Sequence, residues 1–138
     1  MYISKDVKDL LINEKLCMMA TCWEDMPYIS LMNFTYLEPE NKVILSTRIN
    51  SKKYDNIQKN KHVSLLVYSS DDGVSATLLG TALKIEAAEE AHYKALHLQK
   101  NDMPQFILGE NIGLIVFEIE KIVVSNSKDE VKYITHNE

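Results

Sequence analysis

Apolar and β-branched runs, alternating with polar residues from Tyr28 to Tyr36 and from Val74 to Glu86, mark strands along this chain, and three segments show helical spacing instead. After Ser4, placed to cap a helix, Val7, Leu10 and Leu11 share one face while Lys5, Lys8 and Asp9 lie outside it. Leu16 to Trp23 reads as a mostly buried strand, and Glu24-Asp25-Met26-Pro27 as the turn after it. Tyr28 to Tyr36 alternates again. Ser30, Met32, Phe34 and Tyr36 fall on one face and Ile29, Leu31, Asn33 and Thr35 on the other. Both faces carry apolar groups, which predicts a central strand or one lining a closed barrel.

Glu38-Pro39-Glu40-Asn41 turns the chain back into a strand from Lys42 to Thr47. A short helix from Ser51 to Lys59 follows, with Tyr54 and Ile57 spaced to face inward, then a strand from Val63 to Tyr68 and a turn at Asp71-Asp72-Gly73. Val74 to Glu86 alternates around Gly80, where a glycine inside a strand predicts a bulge or the close approach of another backbone. Ala87 to Lys100 is rich in helix formers, Pro104 and Gly109 interrupt the chain, and Gly113 to Val124 forms the last long strand. The polar tail beyond it has room for one more pairing. Strands joined in sequence by tight turns are antiparallel, so the order predicts a mainly β fold: one domain over residues 1–138, an antiparallel barrel closed or nearly so, with helices packed outside.

Composition narrows the function classes. With 138 residues and 46% hydrophobic side chains the chain builds an ordinary core and needs no disulfide scaffold. A net charge of −5 argues against broad attraction to nucleic acid or an anionic membrane. No apolar run approaches the ~18 residues of a membrane span, and Met1 to Asp6 has no apolar leader core, so a cytoplasmic location is expected. Cys17 and Cys22 lie at an odd separation in one strand, which sends their side chains to opposite faces and argues against a disulfide between them and against a shared metal.

Against that acidic background Arg48, the only arginine, stands in Ser46-Thr47-Arg48-Ile49-Asn50-Ser51-Lys52-Lys53, between a strand and a helix. Hydroxyls, fixed positive charge and the free N–H groups of a new helix are the donors that hold phosphate. The plainer reading makes Ser51 a helix cap and the cations solvated surface. Cations at a helix N-terminus oppose its dipole, however, at a cost of a few tenths of a kcal/mol each. Elsewhere the chain offers little chemistry. His92 and His97 do not share a helix face as a zinc pair would, His62 and His136 are isolated, and no metal-ligand spacing occurs. Structural or solvated roles fit these histidines. Neither cysteine has a neighbouring histidine, there is no nucleophile motif, and Glu89-Glu90 belongs to an exposed helix turn with Lys94 as partner. No catalytic side chain is nominated; a cofactor would have to bring the chemistry.

Leu16-Cys17-Met18-Met19-Ala20-Thr21, Pro27 to Phe34, Ile44 to Ile57, Asn60 to Leu65 and Thr77-Leu78-Leu79-Gly80-Thr81-Ala82, in this order and spacing, resemble the pyridoxamine 5′-phosphate oxidase-like, FMN-binding split β-barrel family over residues 7 to 124. The resemblance implies an FMN cofactor. The strand Ser30, Leu31, Met32 and Asn33 would lie along the isoalloxazine ring, and Ser46 and Thr47 would approach the ring and ribityl chain. Ser51, Lys52 and Lys53 match the family's phosphate turn. It also implies a homodimer with flavin at the subunit interface and a small-molecule or protein redox partner. The chain departs from the oxidase proper in having no arginine after Arg48, which argues against oxidation of vitamin B6 phosphates. Where the oxidase places a phosphate-binding arginine on a strand, this chain has Ser30, and Arg48 is read as compensating from the other side. Two functions follow: a flavin-dependent oxidoreductase or electron carrier, or a non-enzymatic module that binds flavin, haem or another phosphorylated ligand on the same barrel.

Overall fold

The hairpins predicted above are present in the computed structural model, which describes residues 2–126 and the backbone of a final strand, 131–135. Helix α1 (Lys5–Asn13) leads into β1 (Leu16–Trp23), β2 (Met26–Asn33), β3 (Thr35–Leu37) and β4 (Lys42–Arg48). Helix α2 (Lys52–Lys59) precedes β5 (His62–Ser69) and β6 (Val74–Leu83). Helix α3 (Ala87–Lys100) and the single turn α4 (Pro104–Ile107) then connect to β7 (Ile112–Ser125) and β8 (Val131–Thr135). All pairings are antiparallel, in the order β2-β1-β5-β6-β7-β4-β3, and β8 pairs the far half of β7. His136 lies outside the described residues.

The sheet curls into a split barrel because one stretch of chain serves both of its ends. β2 pairs with β1 from Trp23↔Met26 to Leu16↔Asn33, whereas β3 pairs with β4 from Thr35↔Ile44 to Leu37↔Lys42. Phe34 is the junction: its ring is fully buried and its N–H donates to the Lys15 carbonyl at 3.1 Å. A second bend comes from β7. Its register against β6 shifts between Leu79 and Gly80, a bulge that bends the long strand. A Cβ on Gly80 would overlap the Glu118 carbonyl oxygen, so this glycine serves both the bulge and the close approach.

Met19, Leu45, Leu65, Leu78, Phe117 and Ile122 fill the barrel, and α1 closes one opening with Val7, Leu10 and Leu11. Burying each such side chain stabilises the fold by about 1.5–3 kcal/mol. On the outer face, Tyr93 of α3 packs on Ile44 and Val116 of β4 and β7. Ser4 stands at the N-cap of α1, but only its carbonyl is used, accepting from Lys8 N at 3.0 Å. Among the described residues no helix is long and apolar enough to cross a membrane.

One expectation needs correction. Tyr28 to Tyr36 is not a single central strand: it breaks at Phe34, and β2 ends the order of pairing. Ser30 and Met32 point inward, but on the other face Ile29 and Leu31 are 66% and 65% exposed. On that second face only Asn33, which donates to Asn101, is tied down by a side-chain hydrogen bond among the described residues.

Candidate functional site

Where β4 ends, Thr47 pairs with Gly113 and Arg48 with Ile112. Ile49 N–H donates to the Asn111 carbonyl at 2.8 Å and Ser51 N–H to the Arg48 carbonyl at 3.1 Å, so the chain reverses at once into α2. Ser51 is the cap. Its Oγ accepts from Tyr54 N–H at 3.3 Å and shares a 3.3 Å hydrogen bond with Thr47 Oγ1. The N–H groups of Lys52 and Lys53 have no carbonyl of their own helix to meet. Arg48 and Lys53 form no ion pair among the described residues, whereas Lys5, Lys8, Lys42, Lys59 and Lys94 each hold a carboxylate. The turn therefore presents unneutralised charge, hydroxyls and free N–H groups together, the donor set that suits a phosphate.

This turn forms one end of a cleft of about 410 Å³. Leu31, Met32 and Asn33 of β2 make one wall, and Ser46, Thr47, Arg48, Ser51 and Lys53 make the second. The third comes from the α3–α4 corner: His97, Asn101, Met103, Phe106 and Ile107. Ser46 Oγ donates to the Phe106 carbonyl at 2.8 Å and so ties α4 to β4. Two of the residues expected at the site stand apart from this lining. Ser30 has its hydroxyl enclosed without a partner, and the Lys52 side chain is exposed outside the cleft.

The α3–α4 wall is what the sequence reading missed. His97 is 1% exposed and Asn101 3%, and both hydrogen-bond Thr35: His97 Nδ1 lies 2.8 Å from Thr35 Oγ1, and Asn101 Nδ2 lies 3.0 Å from it. Burial first, and then the Lys100 charge, push the His97 imidazole down to about 4, so the ring is neutral near pH 7. Lys100 itself donates to the carbonyls of Leu11 at 3.3 Å and Glu14 at 2.6 Å, capping the end of α1 over the Phe34 ring. Burial lowers its ammonium to about 8. One signal was available: Tyr93, His97 and Asn101 recur at helical spacing, marking a polar stripe that packs inward.

The family model for pyridoxamine 5′-phosphate oxidase matches residues 3–123. The chain belongs to that family. A pyridoxamine 5′-phosphate oxidase homolog of Schizosaccharomyces pombe is 31% identical over 160 residues, covering 88% of this chain and 84% of that protein. Among solved structures, a heme binding protein from Mycobacterium smegmatis superposes with a TM-score of 0.81 at 18% identity. The match takes in 98% of this chain but only 59% of that one, so this family member spans less than two thirds of its length. A protein related to general stress protein 26, from Clostridium acetobutylicum, gives a TM-score of 0.74 at 18% identity over 94% of this chain and 92% of that one. An F420 reductase gives 0.71 at 17% identity over 87% and 98%. At such identities the likeness is one of fold. Members of the family commonly bind flavin nucleotides.

Proposed function

We propose that this family member binds FMN in the cleft and acts as a flavin-dependent oxidoreductase or electron carrier, not as an oxidase of vitamin B6 phosphates. One observation carries the reading: Arg48 and Lys53, without carboxylate partners among the described residues, meet the Ser51 and Thr47 hydroxyls at one end of a cleft whose 410 Å³ suit a mononucleotide. These residues would hold the phosphate, and the β2 wall from Leu31 to Asn33 would run along the ring. Bound FMN supplies hydride or electron transfer. The protein binds it, orients it and, with Met103, Phe106 and Ile107, shields one side from water.

A homodimer belongs to this proposal. Ile29 and Leu31 form an exposed apolar ribbon on one face of β2, and Leu31 also lines the cleft. A second copy laid on that ribbon would cover it and bring its own side chains to the ligand. The redox partner, a small molecule or a protein, would then approach from the side left open.

The test is uptake of FMN, followed by absorption and fluorescence, beside uptake of riboflavin, which lacks the phosphate. Two or three charge-assisted hydrogen bonds at ~1.5–3 kcal/mol each predict that riboflavin binds at least a hundredfold more weakly. Protein that is colourless and takes up no FMN overturns the reading. Bound FMN that neither NAD(P)H nor a reduced protein partner can reduce would favour a sequestering module instead.

A further inference from the structure

The hydrogen bonds beneath the cleft run in one direction. Asn33 Nδ2 donates to Asn101 Oδ1 at 3.2 Å, which fixes the Asn101 amide with its NH₂ toward Thr35 and His97. Asn101 Nδ2 in turn donates to Thr35 Oγ1 at 3.0 Å, and its other proton has the His97 carbonyl at 3.2 Å. The Thr35 hydroxyl proton is left for His97 Nδ1, 2.8 Å away. A hydroxyl that donates to Nδ1 requires that nitrogen to be bare, so the ring proton sits on Nε2. The opposite tautomer would deprive the Thr35 proton of its acceptor. It would also set the Nδ1 proton against the Asn101 NH₂, 3.3 Å from Nδ1.

Nε2 has no partner among the described residues. Nor is it one of their fully enclosed, partnerless side-chain atoms, which are Ser30 Oγ, Tyr36 OH and Asn56 Oδ1. Since His97 lines the cleft, that is where its N–H is presented.

We propose that His97 is a specificity-determining residue of this cleft, its Nε2–H donating a hydrogen bond to a carbonyl oxygen or bare ring nitrogen on the heterocycle of the phosphorylated ligand. The inference rests on the flavin reading, in which the phosphate lies at Arg48, Ser51 and Lys53 and the heterocycle along Leu31 to Asn33. Asn33 belongs to that wall and begins the chain of donors, so heterocycle and donor meet on the same side. A neutral N–H suits an uncharged acceptor on the heterocycle, since it completes that hydrogen bond without an ion pair. Burial keeps the ring in that state.

The experiment is titration of FMN and riboflavin into wild type and three variants, with nitrogen NMR of the wild-type imidazole. His97→Asn withdraws the Nε2 donor and weakens both ligands about tenfold. His97→Gln returns an N–H to that position and recovers most of the loss, and Thr35→Val, which frees the ring to change tautomer, falls between. The NMR spectrum, which depends on no variant folding, shows Nε2 protonated and its N–H signal shifting as FMN is added. Equal affinity in His97→Asn and wild type, no recovery in His97→Gln, or an Nδ1-protonated ring overturns the inference and leaves flavin binding standing. Failure of wild type to bind FMN removes the flavin reading and this inference together.

Discussion

The Tyr54 ring lies directly on Gly113, so closely that a Cβ on that glycine would overlap it. Gly113 pairs with Thr47, so the contact sets how near the first turn of α2 comes to the end of β4. Gly113→Ala is expected to destabilise the fold by about 1–3 kcal/mol through overpacking. It should weaken FMN binding as the phosphate turn shifts. Combined with Tyr54→Ala the loss should be clearly less than additive in urea unfolding, because the overlap is gone. Strict additivity would show that the contact does not position the turn.

Arg48→Ala and Lys53→Ala should each weaken FMN about tenfold, as one charge-assisted hydrogen bond does, while riboflavin binding stays unchanged. Raising the salt concentration should shrink the difference between the two ligands, since part of the term is screened charge. Ser51→Ala carries a second penalty of about 1 kcal/mol in stability, because the same hydroxyl caps α2 at Tyr54 N–H. An FMN affinity unaltered by Arg48→Ala removes that residue from the site.

Stability should fall in acid, with a sign set by His97. Its ordinary value near 6.5 drops to about 4 in the folded chain, through burial and then the Lys100 charge. Between those values the unfolded chain holds a proton that the folded chain refuses. The contribution is therefore complete above about 6.5 and is lost as pH falls toward about 4, on the order of 3 kcal/mol in all. Carboxylates titrate in part of the same range, so the measurement is the difference between wild type and His97→Gln in urea midpoint, from neutral pH to about pH 4.5. Parallel curves would refute the assignment.

Ile29→Glu places a charge in the exposed β2 ribbon without touching the cleft lining. Sedimentation should show a dimeric wild type and a monomeric variant, with FMN binding weakened in the variant because the second copy contributes to the site. Folding should be little affected, since the position is solvent-facing within one chain. A monomeric wild type sinks the dimer.

Elements that depend on near neighbours were legible from the residues alone. Apolar and β-branched runs marked β1, β4, β5 and β7, alternation marked β6, and turn residues marked the hairpins. Gly80 announced its bulge because a side chain cannot sit where another backbone passes. The Ser46-to-Lys53 turn stood out because a strand end, a cap and three cations are adjacent in sequence, and the fold keeps them adjacent.

Tertiary structure decided the rest. An apolar face on β2 reads the same whether this chain or a second one covers it, so Ile29 and Leu31 suggested a central strand although they are exposed. For His97 the sequence left structural and solvated roles equally open, and Asn101 drew no attention. Their partner Thr35 lies 62 residues away from His97, and only the break at Phe34 brings that hydroxyl beneath α3. Local pattern records which side chains prefer water. It does not record which distant hydrogen bond makes burying a polar one favourable, and here that bond sets the ring proton of His97 and the donor it offers to the cleft.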